Sequence, residues 1–161
     1  MIRLCLLLAA VVPIPAVAGP CQPDSTRVLA ATGAFFALSV ADIAASARWY
    51  SEKLGLQVVM QAPKQGNAEA TVLQGGGLTV ELIQHDDARP LREAAPDAKG
   101  ALFVHGVFKV GVVVENYAEA LATLRARQVE IAMGPFPARG DQPANLIIKD
   151  NAGNLIQVLA K

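Results

Sequence analysis

The chain carries one unit twice, which restricts it to folds with an internal pseudo-twofold. Phe36-Ala37-Leu38-Ser39-Val40-Ala41-Asp42 is echoed 74 positions later by Val110-Gly111-Val112-Val113-Val114-Glu115-Asn116. The stretch from Thr71 to Leu82 is echoed 76 positions later by Ile147 to Val158. Each copy keeps the same order of strand, helix and strands, so stacking the copies forms one continuous structure with a concave surface where the halves face each other. A small ligand would sit on that surface.

Within the first copy, Phe35 to Val40 has the length and β-rich composition of a strand. Asp42 caps a helix predicted to run to about Leu54, with Ile43, Ala47, Tyr50 and Leu54 on one face and Gly55 as the stop. Leu56 to Met60 reads as a strand and Ala62 to Asn67, with Pro63 and Gly66, as a loop. Ala70 to Leu73 and Leu78 to Gln84 then form a hairpin around Gln74-Gly75-Gly76-Gly77. The second copy predicts a strand over Phe108 to Val114, Asn116 as cap, a helix to about Arg127 and a strand over Val129 to Met133. A hairpin turning at Asp150-Asn151-Ala152-Gly153 completes it. The expected fold is α+β, two tandem βαβββ units over 34–84 and 107–161 joined by a linker over 85–106. They would build a curved, mostly antiparallel sheet with a concave pocket and the helices outside.

The N-terminus reads differently. Arg3 precedes the apolar run Leu4 to Val12, then Pro13, Pro15 and Ala16-Val17-Ala18, the pattern of a secretory signal peptide cut after Ala18. A membrane span needs about 20 apolar residues, and the prolines interrupt this run too early. The expected location is therefore outside the cytoplasm, periplasmic or secreted, without stable membrane insertion after cleavage. Residues 19–33 form a tail and 34–161 a single domain. Cys5 leaves with the signal, so Cys21 has no internal partner. Fourteen basic and fourteen acidic residues balance, and no basic patch or aromatic-spaced basic helix points to nucleic acid.

Strand alternation defines the concave face. Phe36, Leu38 and Val40 make one apolar face, which suits packing under a helix, while Phe35, Ala37 and Ser39 point the other way. The same split sets Val110, Val112 and Val114 against Lys109, Gly111 and Val113. In the fourth strand Thr79, Glu81 and Ile83 oppose Leu78, Val80 and Leu82; in the last, Gln157 opposes Ile156 and Val158. Ser39, Thr79, Glu81, Lys109 and Gln157 thus share a face with Phe35. A carboxylate and an ammonium on a half-buried surface are costly alone, so Glu81 and Lys109 are expected to pair.

The order of elements, Leu38-Ser39-Val40-Ala41-Asp42 leading to Ser46-Ala47-Arg48-Trp49-Tyr50 and Leu54-Gly55-Leu56, and the closing Lys149-Asp150-Asn151-Ala152-Gly153-Asn154-Leu155-Ile156-Gln157 carry a family likeness. The chain resembles the vicinal oxygen chelate superfamily, which includes glyoxalase I, extradiol dioxygenases and bleomycin-resistance proteins. The resemblance spans Phe35 to Leu159. It implies a metal position built from the first and last strands of each unit, and those places match Phe35, Glu81, Lys109 and Gln157. Phenylalanine has no donor atom, an ammonium repels a divalent cation, and a glutamine oxygen is a weak ligand for borderline metals. No metal or other cofactor is therefore expected.

Two functions are compatible with that set. In the first, the protein is an exported, metal-independent binder of a small, partly apolar molecule, in the manner the resemblance to bleomycin-resistance proteins implies. In the second, it is an isomerase, epimerase or lyase that uses Glu81 as a base, with Lys109 or His105 or a remodelled metal site. Against both stands the reading of Glu81 and Lys109 as a structural ion pair or as rim charges. A vestigial pocket whose apolar strand faces meet in a homodimer is a third option. Phe35, Phe108 and Trp49 could stack on a ligand, although Phe108 and Trp49 suit core packing. His85-Asp86-Asp87 and His105 read as solvated loop surface. Arg139-Gly140-Asp141 reads as turn chemistry. No helix follows Gly75-Gly76-Gly77 to present amides to a phosphate.

Overall fold

A computed structural model of the chain describes residues 33–161. The proposed signal segment over 1–18 and Cys21 lie outside the described residues. The first unit contains β1 (Phe36–Ser39), α1 (Ile43–Trp49), β2 (Gln57–Gln65), β3 (Ala68–Gly75) and β4 (Leu78–His85). A short helix α2 (Leu91–Ala94) and a single 3-10 turn (Ala101–Phe103) follow. The second unit contains β5 (Val110–Val114), α3 (Tyr117–Ala126), β6 (Glu130–Phe136), β7 (Asn145–Lys149) and β8 (Leu155–Ala160).

Each unit folds into a four-stranded mixed sheet, ordered β1-β4-β3-β2 in the first and β5-β8-β7-β6 in the second. The first strand of each unit runs parallel to the last, and the other pairs are antiparallel. Registers repeat as the duplicated sequence requires: Ala37 lies opposite Glu81 and Gly111 opposite Gln157. Both units are therefore βαβββ, and the fold is α+β.

Local chemistry places the helices. The Asp42 side chain accepts from the Ala45 amide at 2.8 Å, and Asn116 accepts from the Glu119 amide at 3.2 Å while donating to the Glu119 carboxylate at 3.1 Å. Each bond satisfies an amide that the first helical turn leaves without a partner. The first helix widens at its end into a π-helical turn (Tyr50–Leu54), closed by Gly55 at φ 77°. Gly76 and Gly77 both have positive φ, 56° and 81°, as the two-residue turn between β3 and β4 demands.

The structure departs from the expected elements in two places. The stretch Ala62 to Asn67 is not a loop: β2 continues to Gln65 and only Gly66 and Asn67 turn. Pro63 is tolerated because β2 is an edge strand, and the register slips between Ala62 and Gln65. β6 likewise extends past Met133 to Phe136, again on an edge with register shifts.

Val80, Leu82 and Leu73 of the first sheet and Leu146, Ile148, Ile156 and Val158 of the second are buried, with Tyr50, Leu56 and Leu124, in one apolar cluster. Burial of each large side chain contributes about 1.5–3 kcal/mol. Polar contacts link α1 and its π turn to the second unit. The Tyr50 hydroxyl, fully buried, donates to the Asp150 carboxylate at 2.9 Å, and Asn151 donates to the buried Ser46 hydroxyl at 3.2 Å. The Asp150 carboxylate also accepts from the Ala152 and Asn154 amides and from the Asn154 side chain. Its desolvation is thus offset by four donors. Burial first, and the neighbouring Asp150 charge second, push the Tyr50 hydroxyl far above the usual phenol range.

Candidate functional site

A cavity of about 770 Å³ opens where the C-terminal half of β1 meets the N-terminal end of β5. Ala37 and Ser39 supply one wall, Lys109 and Leu155 another, and Met133 of β6 a third. Ala37, Ser39, Lys109 and Leu155 belong to the faces turned away from the helices, while Leu38 and Val110, from the opposite faces, line the cavity as well. The connection between the units covers the cavity with Leu102, Phe103 and Val107. Those three are 65%, 67% and 85% exposed, so the cavity offers apolar surface to solvent or to a ligand.

Polar groups at this cavity are few. Ser39 offers a hydroxyl on an exposed strand end, and Lys109 an ammonium whose Nζ lies 5.9 Å from the centroid of the Phe108 ring. That distance is within cation–π range. Asn154 also lines the wall, its amide already donating to Asp150. A cavity of this size, mostly apolar with one cation, one hydroxyl and one amide, fits a partly apolar small molecule carrying an acceptor or a negative group.

The six residues singled out from sequence distribute unevenly. Ser39 and Lys109 line the cavity together; Phe35, Thr79, Glu81 and Gln157 are not among its wall residues. Glu81 is half-buried in β4 beside Ala37, one strand spacing of about 4.8 Å further into the first sheet. Thr79 accepts from the Gln74 side chain at 3.2 Å. Gln157 donates to Asn145 at 3.1 Å and lies between Gly111 and Ile147. Phe35 precedes β1 and is 61% exposed.

The expected ion pair is absent. Among the described residues the salt bridges between a basic and an acidic side chain are Lys64–Asp86, Lys149–Glu130 and Lys161–Glu115, and Glu81 and Lys109 form none. The physical reason is lateral: β1 stands between β4, which carries Glu81, and the cavity that Lys109 lines. Lys109 finds the Phe108 ring on its own strand end instead. His85 is exposed at the end of β4 and takes the Asp87 amide at 3.1 Å, while His105 is exposed in the linker. Trp49 packs edge-on against Tyr50, with centroids 4.9 Å apart, at the core rather than the cavity.

Leu102, Phe103, Val107 and Met133 escaped the residue-by-residue reading. The cue for the first two was present: Leu102-Phe103-Val104 is an apolar triplet inside an otherwise polar, Pro- and Ala-rich linker. Met133 had no such cue, because only the course of β6 past the cavity assigns it. The superfamily resemblance matches the places of divalent-cation ligands to Phe35, Glu81, Lys109 and Gln157, and of these only Lys109 lines the cavity. Among the described residues no three His, Cys, Asp or Glu side chains converge in a way that could hold such a cation.

These features define a two-unit βαβββ protein with a ligand-sized cavity between its sheets. The chain belongs to the glyoxalase/bleomycin resistance protein/dioxygenase superfamily, whose model matches residues 34–158. Solved structures of similar fold include a glyoxalase/bleomycin resistance protein/dioxygenase domain from Frankia sp. EAN1pec, with TM-score 0.62 and 18% identity over 81% of this chain and 97% of that one. Another is a glyoxalase family protein from Enterococcus faecalis, with TM-score 0.61 and 21% identity over 78% and 94%. A third is TnmS3, an antibiotic binding protein from Streptomyces sp. CB03234, with TM-score 0.56 and 16% identity over 81% and 95%. A search of curated proteins finds no match.

Proposed function

We propose that the protein is an exported, metal-independent binder that holds a small, partly apolar molecule in the cavity between β1 and β5. The observation that carries this reading is the cavity itself: about 770 Å³ of mostly apolar wall, with Lys109, Ser39 and Asn154 as its polar side chains. The superfamily contains binders as well as enzymes, and TnmS3, of the same fold, is an antibiotic binding protein. The donor set Phe35, Glu81, Lys109 and Gln157 supports metal independence, and the pattern over residues 1–18 supports export to the periplasm or beyond.

In this reading apolar ring or chain surface of the ligand packs on Phe103, Leu102 and Val107, and an acceptor or anionic group meets Lys109. Burying the flat apolar surface supplies most of the affinity, and the single cation fixes orientation. The test is a thermal-shift and calorimetric screen of aromatic and other partly apolar compounds, run with and without chelator, on wild type and Ser39→Trp. Saturable binding, indifferent to chelator and abolished by Ser39→Trp, is the expected result. A tightly held stoichiometric metal whose removal lowers the melting temperature would overturn it, because ligands that bind only the native state raise its stability.

A second reading rests on Glu81, a half-buried carboxylate with no ion-pair partner among the described residues, one strand from the cavity wall. As a general base it would serve an isomerase, epimerase or lyase. Turnover lost in Glu81→Gln with the fold intact would favour it. The edge strands β2 and β6 expose Val58, Val59, Met60, Met133 and Phe136, which fits a homodimer. Light scattering of the purified protein decides between dimer and monomer.

A further inference from the structure

A second cavity, of about 590 Å³, lies on the helix side, between α3 and the sheets. Its floor is apolar, with Phe36 and Leu78 from the first unit and Val112, Val114 and Val158 from the second. It follows α3 from Asn116 to Arg127, twelve residues separated by eleven rises and so about 16 Å of helix. An elongated apolar chain fits that shape.

The two ends differ in charge. At the N-terminal end of α3 the acidic residues already have partners: Glu115 takes Lys161 at 2.6 Å, and Glu119 takes the Asn116 side chain. At the other end stand Lys53 and Arg127. Lys53 donates to the Arg127 carbonyl at 2.6 Å and Arg127 to the Lys53 carbonyl at 3.2 Å. Each cation thus spends one donor on a backbone oxygen, and among the described residues neither has a carboxylate within salt-bridge distance. An ammonium has three donors and a guanidinium five, so most remain available.

We infer that this helix-side cavity binds an amphiphilic monocarboxylate, its alkyl chain lying along α3 and its carboxylate on Lys53 and Arg127. Two cations, each tethered to the other residue's backbone carbonyl, are partly ordered before an anion arrives, which reduces the ordering cost of binding. Charge-assisted hydrogen bonds from a guanidinium would fix the headgroup, and the wall of Val112, Val114 and Val158 would remove the tail from water.

The probe is dodecanoate, below its micellar range, titrated calorimetrically into the purified protein, with dodecanol and dodecyltrimethylammonium as controls. Saturable one-to-one binding of dodecanoate is expected, at least tenfold tighter than dodecanol, with no binding of the cation. Lys53→Gln together with Arg127→Gln removes that preference for the carboxylate. Because this double variant also breaks the clasp, Thr123→Phe, an exposed helix position on the cavity wall, serves as a second test and abolishes binding. Ser39→Trp, which blocks the cavity between β1 and β5, leaves dodecanoate binding unchanged. The proposal fails if wild type does not bind dodecanoate, if dodecanol binds as tightly, if Thr123→Phe keeps full affinity, or if Ser39→Trp is the variant that loses it.

Discussion

Replacing Tyr50 by Phe removes one hydroxyl at the place where α1 meets the turn between β7 and β8. The bond it breaks runs 2.9 Å from a fully buried hydroxyl to Asp150, which is 4% exposed. A hydrogen bond to a charged group contributes about 1.5–3 kcal/mol. Asp150 keeps three other donors after the change, so the lower part of that range applies, about 1.5–2 kcal/mol. For a domain of this size, that corresponds to a melting temperature lower by about 5–8 °C. Urea unfolding at pH 7 measures the difference, with an unchanged m-value as the sign of an intact native state. The pH dependence gives an independent check. Tyr50 has a folded pKa above its unfolded value near 10, so its contribution is complete below pH 10 and falls as the pH rises beyond it. Each pH unit then removes up to about 1.4 kcal/mol of the Tyr50 contribution from wild type, a contribution the variant lacks, while Tyr117 titrates alike in both. The two stability curves should converge between about pH 11 and 11.5. A loss under about 0.5 kcal/mol at pH 7, or a gap that stays constant up to pH 11.5, would refute the assignment of Tyr50 and Asp150 as a buried clasp.

Asp42→Ala removes the cap of α1 and is expected to cost about 1 kcal/mol, read by chemical denaturation. A double-mutant cycle on Glu81→Gln and Lys109→Gln should show additivity within about 0.5 kcal/mol, since no ion pair joins them; a larger coupling would show that they meet in solution. Leu73→Ala, at a fully buried position between β2 and β4, should cost about 2–5 kcal/mol in thermal or urea unfolding.

Duplication, capping residues and strand alternation are short-range or periodic properties, and they made most of the architecture legible. Asp42 and Asn116 start helices wherever the chain goes, because a side-chain oxygen reaches an amide three residues on. The alternation that puts Glu81 opposite Ala37 and Gln157 opposite Gly111 follows from a period of two along each strand. Pro63 misled the reading because a proline looks like a strand breaker until the strand is known to be an edge, and edges are a property of the whole sheet.

The site itself was only partly legible. Alternation can say which side chains share a face, and Ser39 and Lys109, which it puts on a common side, both line the cavity. It cannot say how far apart they lie across the sheet, so it joined Lys109 to Glu81 when β1 stands between Glu81 and the cavity. Sequence alone thus determined two βαβββ units, their caps and the inward and outward face of each strand, because each depends on residues within a few positions. The tertiary structure decided which faces meet, that Tyr50 reaches Asp150 a hundred residues away, and that Leu102, Phe103 and Met133 wall the cavity. Those are contacts between distant segments, set by how the sheets and helices pack rather than by any local period.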